Sequence, residues 1–280
     1  MKYAFVNNEF VPDEQAKVSI YDRGFLFADG VYEVVTVLHG KLIDDDGHLQ
    51  RLMRSLQEMK ITAPLSIAET KTLLQTLVEK NQLQEGIVYL QVTRGVAPRE
   101  FSFPEAAKPT VIAFAQNKNI LNSPAAEKGI RVASVPDMRW ARRDIKSLQL
   151  VGPVLAKQIA ADQGADDAWL VEEGMVTEAA SANAFIVVGN KVITRQASEK
   201  ILNGITRLAI LSLCESSNLV LEERPFSVKE AQQADEAFIT SASTFVYPVV
   251  MIDGVQVGDG TPGKIAQQLR DRYIEYALKA

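Results

Sequence analysis

Lys146 stands in the stretch RRDIKSLQLVGPVLAKQIA, an amine set among Ile145, Leu148, Leu150 and Val151. Burial disfavours a charged amine, and a neutral amine attacks an aldehyde, so a lysine in apolar company can hold a carbonyl compound as a Schiff base. That chemistry calls for two further parts, an anchor for a phosphate and an acid that keeps a heteroaromatic nitrogen protonated. Residues of both types lie downstream. In ILNGITRLAIL, Gly204, Ile205 and Thr206 open a predicted helix, where backbone amides, a hydroxyl and the helix dipole can receive an anion. FITSAST ends a predicted strand in Thr240, Ser241 and Ser243, hydroxyls suited to more phosphate contacts. In GMVTEAASANAF, Glu178 precedes Ala179, Ala180, Ser181 and Ala182, small residues that let backbone come close to a flat ligand. Taken one at a time, each has a plainer alternative: a lysine snorkelling to solvent, an ordinary helix cap, a polar turn, an exposed acid at a hairpin end.

Composition removes several other chemistries. With a net charge of −5 and 23% charged residues, no phosphate-tracking surface is implied, and nucleic acid is not an expected partner. The single cysteine, Cys214, rules out an intrachain disulfide and lies in the apolar pattern LAILSLCES, which points to packing. Two histidines, His39 and His48, are too few for a metal cluster. Neither a cleavable leader nor a run of membrane-spanning length is present, so a cytoplasmic protein without a membrane partner is expected.

The elements that must position these residues read as two α+β units, with helices segregated from largely antiparallel sheets. YAFVNNEFV predicts a hairpin about Asn7-Asn8, and GVYEVVTVLHGKLI a second turning at His39-Gly40. Two helices follow, the first with Leu49, Leu52, Met53 and Leu56 on one face, the second opening with the capping-box pattern Ser66-x-x-Glu69. GIVYLQVTRG and PTVIAFAQ return to strand. The expected domains are 1–118 and 128–280, the larger carrying Lys146, with a linker at 119–127. In the second unit, strand segments alternate with helices starting near Pro153, Thr206 and Ser227. A hairpin then turns at Asp253-Gly254, and an amphipathic helix closes the chain.

The ordered set YDRGFLFADGVYEVV, HLQRLMRSL, YLQVTRGVAPR, DIKSLQLVGPVLAKQ, VTEAASANAF, LNGITR and EAFITSAS resembles the fold-type IV pyridoxal-phosphate enzymes. That group holds D-amino-acid transaminases, branched-chain aminotransferases and aminodeoxychorismate lyase. The resemblance runs end to end and implies a two-domain α+β fold with pyridoxal 5'-phosphate as cofactor. It implies that Lys146 carries the cofactor as a Schiff base and that Glu178 pairs with the pyridine nitrogen. Arg51, Gly204, Ile205, Thr206 and Ser241 would hold the phosphate, with Ala242 beside them and Leu202 against the ring. Periodicity alone would leave Arg51 solvated, because it points away from Leu49, Leu52 and Leu56.

The same resemblance is nearest to the D-amino-acid transaminases. DGVYEVV and RGVAPR are similar to their versions, with Tyr32 and Arg99 matching groups that bind the substrate carboxylate. The implied activity is ping-pong transamination of D-amino acids of the D-alanine type with a 2-oxo acid such as 2-oxoglutarate, in a homodimer. Two positions depart from the pattern. Phe101 stands where a histidine donor is usual, and Ala242 where a hydroxyl residue is common. The rival readings are an aminodeoxychorismate lyase, a transaminase of branched-chain L-amino acids or amines, and a non-catalytic cofactor-binding scaffold.

Overall fold

The structure is a computed structural model that describes residues 2–279. It divides into two compact units, each of mixed helix and sheet, which makes the chain an α+β protein.

The first unit comprises the chain up to Asn119 together with Ile145–Gln149. Its elements are β1 (Tyr3–Val6), β2 (Glu9–Pro12), α1 (Arg23–Phe27), β3 (Gly30–Leu38), β4 (Lys41–Ile43), α2 (Asp45–Glu58), α3 (Ile67–Lys80), β5 (Glu85–Thr93) and β6 (Thr110–Asn117). The strands form one antiparallel sheet in the order β2-β1-β6-β5-β3-β4. Both residues of the β3–β4 turn, His39 and Gly40, have positive φ, as a two-residue hairpin loop requires. Register then sorts the side chains. Val31, Glu33, Val35 and Val37 of β3 share a face with Val88, Leu90 and Val92 of β5 and with Val111 and Ala113 of β6. That face is buried, as are Leu49, Leu52 and Leu56 of α2 and Leu74, Leu77 and Val78 of α3. The expected capping box is present: Ser66 Oγ accepts from Glu69 N, and the Glu69 carboxylate accepts from Ser66 N.

The second unit holds α4 (Pro124–Lys128), β7 (Ile130–Pro136), α5 (Val151–Asp162), β8 (Asp167–Glu172), β9 (Met175–Ala179), β10 (Asn183–Val188) and β11 (Lys191–Thr194). It continues with α6 (Ile205–Glu215), β12 (Val220–Glu223), α7 (Val228–Gln232), β13 (Glu236–Ser241), β14 (Phe245–Ile252), β15 (Val255–Gln256) and α8 (Lys264–Lys279). A nine-stranded mixed sheet runs β12-β11-β10-β13-β14-β7-β8-β9, with β15 paired to β14. Parallel pairing of β7 with β8 needs a crossover, and α5 supplies it, packing Ala156 and Ala160 on Ala133, Val135, Ala168 and Leu170. On β10 and β13 the directly paired Phe185 and Phe238 stack at 4.7 Å between centroids, fully buried. Cys214 is buried in α6. Among the described residues no helix is long and apolar enough to cross a membrane.

Two expectations about domains need correcting. The stretch 119–127 is not a free linker: Arg270 donates to the carbonyls of Ile120 and Leu121, Ser123 Oγ bonds the Tyr247 hydroxyl at 2.6 Å, and α4 begins at Pro124. Its turn-forming residues mark a helix start, with Pro124 in the first turn where its missing N–H costs nothing. Lys146 belongs with the first unit and not the second, because the β7–β8 crossover detours through Ile145–Gln149 before entering α5.

The Phe185–Phe238 pair sits at the middle of the second sheet, so Phe238→Ala should lower the unfolding free energy by about 3–5 kcal/mol, read as a fall in the urea midpoint. A loss below about 1 kcal/mol would mean that the core closes around the missing ring.

Candidate active site

Lys146 is positioned through its backbone. Tyr32 N donates to Lys146 O at 3.0 Å, Leu148 N donates to Gly30 O at 3.1 Å, and Ser147 bridges Val31, so the segment runs along the start of β3. Gly30 makes the approach possible. A Cβ there would lie 2.7 Å from Val92 O and 2.8 Å from Leu148 Cδ1. The half-buried Lys146 carries its Nζ 4.1 Å from the Tyr32 ring centroid, which unites two of the residues singled out from sequence. Tyr32 in turn stacks on Tyr89 at 5.6 Å, and Tyr89 on Phe114 at 4.9 Å, an aromatic ladder across β3, β5 and β6 on the sheet face opposite the core.

Arg51 is not solvated as periodicity alone would have it; its side chain is 10% exposed. Glu33 explains this. Arg51 Nε donates to Glu33 Oε1 at 2.7 Å and Nη2 to Oε2 at 2.8 Å, while His48 Nδ1 lies 2.8 Å from Oε2. Burial by itself would push the Glu33 carboxyl up; the charge and hydrogen bonds of Arg51, joined by those of His48, outweigh it and hold the group far below the ordinary 4.5. Glu33 is not singled out by any motif in the sequence, yet a signal exists. It is the one acid among the inward-facing positions Val31, Val35 and Val37, and a carboxylate on a core face needs a cationic partner.

Arg99 is exposed and lies over two rings, 5.5 Å from Phe27 and 5.8 Å from Phe101, which are themselves 5.5 Å apart. Phe101 is 82% exposed. The loop bearing Arg99 is fastened by Arg23, which donates from Nη1 to Glu100 O at 2.6 Å and from Nε to Asp29 Oδ2 at 2.8 Å. Arg94 grips the same Asp29 carboxylate through Nε and Nη2.

In the second unit, Glu178 is buried at the end of β9. Its carboxylate accepts from Arg139 Nη1 at 2.5 Å, Asn183 Nδ2 at 3.0 Å and Leu202 N at 3.2 Å. Asn183 also donates to Leu202 O at 2.7 Å, so both backbone groups of Leu202 are tied to this cluster. Burial raises the Glu178 carboxyl above its ordinary range. Arg139 opposes that rise, but its charge is shared with Asp137, which takes Nε at 2.9 Å and Nη2 at 2.8 Å. Neither Arg139 nor Asn183 is marked as a site residue by the sequence. The first reads only as part of a basic cluster, and no local pattern joins position 139 to position 178.

Gly204 caps the start of α6 without a side-chain hydrogen bond, and a Cβ on it would stand 2.2 Å from Asn183 Oδ1. The first amides of a helix have no intrahelical acceptors. Beside them Thr206, 2% exposed, has a buried Oγ1 with no hydrogen-bond partner, and so does Thr240, also 2% exposed. Thr240 pairs directly with Asn183 across β13 and β10, which places both side chains on one face of the sheet. Two buried hydroxyls short of a partner, a glycine-capped helix start and the Ile205–Thr206 backbone fit an anion such as a phosphate. Ser241 instead bonds Thr244 Oγ1 at 2.8 Å, and Ala242 lies in the turn between β13 and β14. Among the described residues no group of three His, Cys, Asp or Glu side chains could hold a metal ion.

The sequence and the fold of this chain are similar to those of known proteins. The family model for class IV amino-transferases matches residues 30–252. A D-alanine aminotransferase of Staphylococcus haemolyticus is 40% identical over 99% of this chain and 98% of its own length. One from Bacillus licheniformis is 40% identical over 96% of this chain and 95% of its own. Among solved structures, the branched-chain amino acid aminotransferase of Escherichia coli superposes with a TM-score of 0.93 at 23% identity, covering 99% of this chain and 94% of that one. A T.th. branched-chain amino acid aminotransferase, solved with pyridoxamine 5'-phosphate, gives 0.91 at 23% identity over 99% and 94%. At such identity these two likenesses speak for the fold alone.

The Glu33 cluster makes acid stability testable. A carboxyl depressed in the folded state contributes stability that is present above its unfolded value and lost as pH falls. Below about pH 4.5 the unfolding free energy should therefore drop by up to about 1.4 kcal/mol per pH unit from this group. Urea midpoints recorded between pH 6 and pH 3 should show that component in the wild-type chain and lack it in Glu33→Gln.

Proposed function

The chain belongs to the class IV aminotransferase family, and we propose that within it the protein transaminates D-amino acids of the D-alanine type with a 2-oxo acid, using pyridoxal 5'-phosphate. The observation that carries the substrate class is the near-full-length likeness to D-alanine aminotransferases at 40% identity. Support for the cofactor comes from the paired features already described, an amine set against Tyr32 and a buried acid near an anion-receiving helix start.

When bound, pyridoxal 5'-phosphate supplies an aldehyde for an amine and a ring that draws electrons from the substrate Cα. In this reading Lys146 would hold the aldehyde through Nζ, and the same amine, once free, would accept the substrate Cα proton as base and return it as acid to the carbon that had carried the aldehyde. Glu178 would face the pyridine nitrogen as a carboxylate and favour its protonated form, with Arg139 and Asn183 fixing the carboxylate's orientation. The amides of Ile205 and Thr206 and the unpartnered hydroxyls of Thr206 and Thr240 would receive the phosphate, and the family resemblance adds Arg51 as a phosphate ligand, with Ser241 and Ala242 nearby and Leu202 against the ring. Tyr32 and Arg99 orient the substrate carboxylate. The reading also implies a cytoplasmic homodimer acting on small amino and 2-oxo acids.

Phe101 bears on affinity. A ring where a donor would serve leaves Arg99 to bind the carboxylate by its planar fork alone, steadied by Phe27 and Phe101. Phe101→His should lower KM for D-alanine several-fold with little change in kcat, the signature of binding shared equally by ground and transition states.

Lys146→Ala should abolish turnover and the yellow absorbance of the lysine-bound cofactor; retention of both would overturn the assignment. Mixing the wild-type holoenzyme with matched D and L amino acids should bleach it to the pyridoxamine form with the D series. Bleaching by branched-chain L-amino acids alone, or pyruvate release from aminodeoxychorismate without an amino acceptor, would replace the substrate reading.

A further inference from the structure

Glu33 is 0% exposed, opposes Leu90 in a core face, and takes no part in the chemistry set out above. A carboxylate in such a place loses its hydration, and a buried ion pair is often no more stabilising than apolar side chains of the same volume. Stability alone is therefore a poor account of it. What the geometry does supply is orientation. His48 and Arg51 lie three residues apart on α2, on neighbouring positions of the helix surface, and both reach the same carboxylate. Both Glu33 oxygens are engaged by the Arg51 fork, and His48 Nδ1 lies within hydrogen-bonding distance of Oε2 as well. A guanidinium held at Nε and Nη2 cannot rotate about its own bond to the side chain.

We infer that Glu33 is a positioning residue that acts through Arg51, holding the guanidinium in the one orientation that binds the cofactor phosphate, with His48 keeping the carboxylate in register. The inference rests on the reading of Arg51 as a phosphate ligand. It makes a counter-intuitive demand. By Coulomb's law, removing a negative charge beside Arg51 strengthens its pull on a phosphate dianion, so a Glu33 that only neutralised Arg51 would weaken cofactor binding and its removal would tighten it. A Glu33 that orients Arg51 does the opposite.

The test compares pyridoxal 5'-phosphate with pyridoxal, which lacks the phosphate, by titrating each into the full-length protein freed of cofactor. The ratio of the two dissociation constants isolates the phosphate contribution, which a merely structural defect would leave unchanged because it weakens both ligands alike. Glu33→Gln should shrink that ratio by about tenfold or more, as Arg51→Met should. In the Arg51→Met background, Glu33→Gln should have no further effect, since the residue acts only through the arginine. Should Glu33→Gln fail to fold, Glu33→Asp keeps the charge and withdraws the carboxylate by one methylene, and it should shrink the ratio in the same direction. A ratio that rises in Glu33→Gln, or stays unchanged while Arg51→Met lowers it, overturns the positioning role and leaves Arg51 as a phosphate ligand. A ratio unmoved by Arg51→Met removes that assignment and the inference built on it.

Discussion

Lys146 is held in place by backbone hydrogen bonding between Ile145–Gln149 and the start of β3, and that pairing depends on Gly30 having no side chain. The connection between the parallel strands β7 and β8 needs only α5 to complete its crossover, yet the chain first bonds along β3. Once Tyr32 N and Lys146 O are joined, the lysine amine falls over the Tyr32 ring, and the ring is steadied by its stack on Tyr89 and Phe114. The Lys146 amine is thus placed by main-chain hydrogen bonds and an aromatic ladder, both of which resist small displacements better than a lone side chain does.

Two buried glutamates illustrate how surroundings shift one residue type in opposite directions. Glu33 has a dedicated arginine fork and a histidine, and its carboxyl is driven far below the ordinary value. Glu178 has one bond from an arginine that is also committed to Asp137, and burial prevails, raising it. The first is a fixed anion suited to holding a guanidinium. The second is a carboxyl whose charged form burial disfavours. Environment and not residue identity separates them, through the number of cationic bonds each receives against the same loss of hydration.

Local elements were legible wherever short-range chemistry specifies them. The hairpin turn at His39-Gly40 adopts the positive φ angles that its residues tolerate, and Ser66 and Glu69 form the reciprocal cap their spacing implies. Cys214 is buried as its apolar setting indicated. Readings failed where a residue's surroundings come from distant sequence. Arg51 looked solvated because its own helix gives it no apolar company, whereas its partner Glu33 lies on a strand eighteen residues earlier. The stretch 119–127 looked like a linker because nothing nearby announces Arg270, about half the chain away, as the donor to its carbonyls.

The order of its motifs and its end-to-end likeness to class IV aminotransferases belong to the sequence by itself, and with them the α+β class. Only the tertiary structure decided that Lys146 packs with the first unit, that Arg51 is buried against Glu33, and that Thr206 and Thr240 keep unpartnered hydroxyls. The reason is one of range. Turns, caps and periodicity are settled by interactions a few residues long, whereas the burial of a charge and the choice of its partner depend on strand register and chain path across the whole sheet.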